Sequence, residues 1–61
     1  MKYSELRRIL EDAGCWIKRN GSNHDIYYSP ISENSFPVGR HTSQEVPNGT
    51  LSKILKQAGL K

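Results

Sequence analysis

Two nine-residue stretches, one near each end of the chain, constrain the fold more than anything else in it. Leu6-Arg7-Arg8-Ile9-Leu10-Glu11-Asp12-Ala13-Gly14 and Leu51-Ser52-Lys53-Ile54-Leu55-Lys56-Gln57-Ala58-Gly59 agree at five of nine positions. In both, the apolar residues fall at i, i+3, i+4 and i+7, the spacing of a single stripe along an α-helix. Each stretch stops at a glycine, the residue that most readily takes the left-handed conformation ending a helix. Convergence explains the match without duplication, because each helix needs a stripe to lie on a sheet and a small residue before its terminal glycine. The spacing predicts a helix from Tyr3 to Ala13, with Ser4 as N-cap and Glu5 in the first turn, and a second from Asn48 or Gly49 to Ala58.

Between the helices the pattern changes from a period near 3.6 to a period of two. Cys15 to Arg19 reads as a short strand with Cys15 and Ile17 on one face and Trp16 and Lys18 on the other. Asn20-Gly21 is the strongest short turn signal in the chain. His24, Ile26 and Tyr28 then alternate with Asp25, Tyr27 and Ser29. With Ile26 toward the core, His24 lies on the same side at the strand's open end and Asp25 points to the opposite face. Pro30 to Asn34 forms a connecting loop, and Ser35 to Gly39 a third strand whose Pro37 marks a sheet edge. Arg40 to Val46 is polar and irregular.

The order is helix, three strands, helix: an α+β fold, α-β-β-β-α, in one domain spanning residues 1–61. A three-stranded antiparallel sheet with two helices on one face buries both stripes in one core and leaves the other face free for a partner. Trp16 and Lys18 are expected on that free face, with Trp16 as an interface anchor or stacking platform, or else wrapped into the edge of the core.

Size and charge narrow the functional classes. A chain of 61 residues buries only about 60% of the surface its unfolded form exposes, enough for one small core whose stability a partner can supplement. Net charge is +3 and the pI about 9.3, which favours a polyanionic or acidic partner. The lone Cys15 excludes an intrachain disulfide and reads as a buried thiol. One cysteine with two histidines cannot furnish a four-ligand structural zinc site, and no cofactor is called for. No apolar run approaches the roughly 20 residues of a membrane span, and the charged N-terminus is not a signal peptide, so a cytoplasmic location is expected. Asn20-Gly21-Ser22 and Asn48-Gly49-Thr50 match the glycosylation pattern but read as turns.

The chemistry concentrates in Lys18-Arg19-Asn20-Gly21-Ser22-Asn23-His24. RNA carries its own nucleophile, the 2′-hydroxyl, and an imidazole is suited to taking that proton at neutral pH without a metal. His24 at the mouth of a turn is the candidate base. Lys18, Arg19 and the Gly21 and Ser22 backbone N–H groups are candidates for binding the phosphate and stabilising the phosphorane. Ser22 fits a turn residue better than a nucleophile, since no carboxylate is placed to orient His24. Lys53 and Lys56 give the second helix a basic face, either a further phosphate contact or a solvated surface. His41 stands as a competing acid.

The run His41-x-x-x-Glu45-Val46-x-x-Gly49-Thr50-Leu51-x-x-Ile54-Leu55-Lys56-Gln57-Ala58-Gly59-Leu60, together with Gly21-Ser22-Asn23-His24-x-Ile26-Tyr27, resembles the HicA family, the small toxins of HicA and HicB toxin–antitoxin systems. Many members have Gly-Ser-His, so Asn23 stands as an added residue, and His24 matches the family's catalytic histidine. The resemblance implies a fold like a double-stranded-RNA-binding domain and cleavage of mRNA that arrests translation and growth. It also implies neutralisation by a HicB-like antitoxin covering the active region. The alternative of another class is a non-catalytic RNA-binding module of the same fold.

Overall fold

The computed structural model describes residues 1–61. Helix α1 spans Tyr3–Asp12, strands β1, β2 and β3 span Trp16–Asn20, His24–Ser29 and Asn34–Gly39, and helix α2 spans Asn48–Ala58. The strands form one antiparallel sheet in the order β1-β2-β3, so the proline-bearing strand is an edge, as Pro37 requires. Both helices pack on one face. Leu6 and Leu10 of α1 and Ile54 and Ala58 of α2 close over Tyr27, Phe36 and Val38, with Cys15 and Val46 completing the buried cluster. No helix is long and apolar enough to cross a membrane.

The face of β2 that meets the helices is the reverse of the expected one. Asp25, Tyr27 and Ser29 are buried, whereas Ile26 and Tyr28 are half-buried and His24 is exposed on the opposite side. Polar partners make this possible. The Ser29 hydroxyl donates to Ala58 O at 2.7 Å, Asn34 Nδ2 reaches Gln57 O at 3.3 Å, and the Ser32 hydroxyl bonds the same Gln57 carbonyl. These groups satisfy carbonyls that the end of α2 leaves unpaired. Gly59 then turns the chain with φ of +79°.

Ser4 does not cap α1. The N-cap is Lys2, with no side-chain hydrogen bond. Instead the N–H groups of Tyr3 and Ser4 donate to Gln44 O at 3.0 Å and Thr42 O at 3.1 Å. The segment before α2 is therefore pinned to the start of the chain, reinforced by Val46 N–H donating to Met1 O at 2.8 Å and by the Met1 ammonium on Glu45 at 3.0 Å. That ammonium holds the Glu45 carboxyl below its ordinary range.

Candidate RNA-cleavage site

The β1–β2 hairpin departs from regular pairing at one point, and that point collects charge. Trp16 pairs with Tyr28 and Ile17 with Tyr27, but Arg19 rather than Lys18 pairs with Ile26, leaving Lys18 in a bulge. An extra residue reverses the alternation beyond it. Arg19 now shares the face of Ile26 and Tyr28, the same face from which Lys18 Nζ reaches Ser35 Oγ at 3.4 Å. Two adjacent cations thus line one shallow depression with Ile26 and Ser35. Strict alternation would have sent them to opposite faces.

The turn itself is Gly21-Ser22-Asn23, with Asn20 still in the strand. Gly21 has no left-handed φ, so the residue is required for a different reason. Its N–H donates to His24 O at 2.8 Å, and a Cβ at Gly21 would sit 2.5 Å from that oxygen. The Gly21 N–H is consequently spent inside the turn and is not open to a phosphate, contrary to expectation. The Ser22 N–H makes no backbone bond.

His24 opens β2, exposed, with Gly39 as its register partner on β3. Its imidazole makes no hydrogen bond to the protein. The residue contributes to the lining of a cleft of about 220 Å³ with Pro37 and Gly39 of the edge strand β3, Tyr3 of α1, and Thr50, Lys53, Ile54 and Gln57 of α2. Gly39 lets the Tyr3 ring lie close, since a Cβ there would stand 3.3 Å from it and the ring would have to give by a few tenths of an ångström. Lys53 of α2 is the one cation that lines this cleft with the histidine. The Lys18–Arg19 depression adjoins the cleft across the Ile26–Pro37 pair.

The family described as HicA toxin of bacterial toxin–antitoxin matches the chain over residues 3–60. The chain belongs to the HicA toxin family. Among curated relatives, a protein of Photorhabdus laumondii subsp. laumondii named "Probable mRNA interferase HicA 2" is 39% identical over 61 residues, covering all of both chains. No solved structure gives a significant match.

Beside the histidine of this HicA chain lies a network of residues distant in sequence that no motif connects. Asp25 is 5% exposed and receives Arg7 Nη2 and Arg40 Nε, each at 2.9 Å. Those two guanidiniums hold its carboxyl below its ordinary value. Arg7 also donates to Gly39 O at 3.1 Å and to the Tyr27 hydroxyl at 3.2 Å. Arg40 continues to the hairpin, donating from its side chain to Ser22 O and from its backbone N–H to Asn23 O, both at 3.4 Å. The added Asn23 thus has a fixed carbonyl. Asp25 lies opposite His24, as expected, and serves to fasten α1, β2 and the segment after β3 to one another. No motif announces this, since the two arginines lie 18 and 15 residues away. His41 is exposed, its backbone carbonyl accepts the Gln44 N–H at 3.0 Å, and it lies outside the His24 cleft.

Proposed function

We propose that this HicA toxin is a metal-independent endoribonuclease that cuts mRNA with His24 as general base and is silenced by a HicB-like antitoxin covering the same surface. The observation that carries the reading is His24 itself: an exposed residue whose imidazole has no protein partner, at the start of β2, lining a cleft that Lys53 also lines. The name of the Photorhabdus relative, an mRNA interferase, supports the substrate.

In this reading His24 takes the proton of a 2′-hydroxyl, and the resulting oxygen attacks the adjacent phosphorus. The bond from phosphorus to the 5′-oxygen of the next nucleotide breaks, and that oxygen takes a proton from solvent water, leaving a 2′,3′-cyclic phosphate and a 5′-hydroxyl. Charge gathers on the non-bridging oxygens in the transition state. Lys53 sits in the cleft to stabilise it, with the Ser22 N–H, while Lys18 and Arg19 hold a neighbouring phosphate. A 2′-deoxy nucleotide at the cut lacks the nucleophile and resists cleavage.

Incubation of the protein and His24→Ala with a defined mRNA in EDTA tests the reading. Wild type is expected to leave cyclic-phosphate ends, and the variant to cut about 10²–10⁴-fold more slowly. Equal cutting by both would remove His24 from the chemistry. Binding without product from either would make the fold an RNA-binding module.

A further inference from the structure

The uncovered sheet face carries a feature that cleavage at His24 does not use. Trp16 and Tyr28, register partners on β1 and β2, pack against each other with ring centroids 4.8 Å apart and planes tilted by 45°. Trp16 nonetheless remains 51% exposed. Tryptophan is highly buried on average, and this one offers an open indole face beside a second aromatic ring. Tyr28, Ile26 and His24 alternate along one side of β2, so the aromatic pair and the histidine mark the ends of a row roughly 13 Å long. The bulge places Lys18 and Arg19 between them, beside Ile26.

The order along this row is aromatic, cationic, catalytic. We infer that Trp16, supported by Tyr28, is a stacking subsite for one unpaired base of a single-stranded RNA whose backbone runs past Lys18 and Arg19 to the His24 cleft. The inference rests on the reading of the cleft as a cleavage site and adds the form of its substrate. A polyanion with bases fits the row better than an acidic protein would, because the two cations lie next to an exposed indole face. An acidic side chain has no π-face to lay on it, whereas every base does. A duplex is excluded from this subsite, since its bases are already stacked on one another.

Trp16 is the only tryptophan in the chain, so its fluorescence reports the subsite directly and without catalysis. Titration with a single-stranded 2′-O-methyl oligonucleotide, which cannot be cut, is expected to quench the emission, while the same sequence annealed to its complement is not. Trp16→Ala should bind the single strand roughly 5- to 100-fold more weakly, with Trp16→Phe recovering most of the loss. Thermal melts of both variants exclude a folding defect. Binding of the oligonucleotide without quenching, or with equal affinity in Trp16→Ala, would overturn the inference. So would equal quenching by the duplex, and equal quenching by polyglutamate would give the face to an acidic protein partner instead. Quenching by the 2′-O-methyl strand alongside no cleavage of ordinary RNA would leave the subsite standing and remove the nuclease reading. Cleavage without quenching would do the reverse.

Discussion

His24 and Asp25 are neighbours in sequence and titratable both, yet they lie on opposite faces of β2 and do opposite work. Asp25 is buried against two guanidiniums, and its charge is consumed in joining three segments of the chain. His24 is exposed, and its imidazole bonds to no other residue of the protein. In so small a domain the covered face must spend its polar groups on holding the fold. The uncovered face can then carry groups that satisfy nothing in the resting protein.

Removing the buried member should break the comparison most severely. Asp25→Ala leaves two arginines facing each other without their anion, and a large drop in thermal midpoint by circular dichroism is expected, with activity lost through unfolding. His24→Ala, by contrast, should melt like wild type. Gly21→Ala comes next. Its methyl group collides with the His24 carbonyl, so the turn must shift, and cleavage should fall at least about tenfold, as a displacement near 1 Å costs up to about 10²-fold. A Gly21→Ala protein cutting at the wild-type rate would show that the hairpin does not position His24.

Acid sharpens the contrast further. Asp25 has its carboxyl held below the ordinary 3.8 by Arg7 and Arg40. Its stabilisation is therefore complete above the unfolded value and is lost as pH falls from about 4 through the folded one. Denaturation midpoints measured from pH 6 downward should decline over that interval in wild type and stay flatter in a folded Asp25→Asn variant. At the alkaline end Tyr27, raised above 10.0 chiefly by burial, loses its contribution as pH climbs through its folded value. The smallest effect is expected from Tyr27→Phe, which removes bonds to Arg7 and Glu11 at a cost of about 1 kcal/mol, read by urea unfolding.

The helices, the strand order and the exposed histidine were legible because each is written locally: stripes, glycine stops, a proline on an edge, a turn before His24. The face of β2 was not. Ile26 looked like the core residue because it is apolar, and Asp25 could be buried only because arginines distant in sequence arrive to pair it. The Lys18 bulge was hidden for a related reason, since a one-residue slip in pairing leaves no mark in composition. Lys53 was visible as a basic residue, but its place in the His24 cleft depends on how α2 lies along β3.

The backbone bonds from Tyr3 and Ser4 to the segment around residues 42–44 have a consequence for the order of events during synthesis. The first turn of α1 obtains its hydrogen-bond partners from a part of the chain made some forty residues later. On the ribosome, α1 emerges with those N–H groups answered only by water, and the ring they close cannot form until β3 and the following loop have cleared the exit tunnel. Fragments ending before that loop should therefore leave the start of α1 unpinned and protease-sensitive, while the β1–β2 hairpin, whose paired residues lie between 16 and 28, needs nothing made later to close its own ladder.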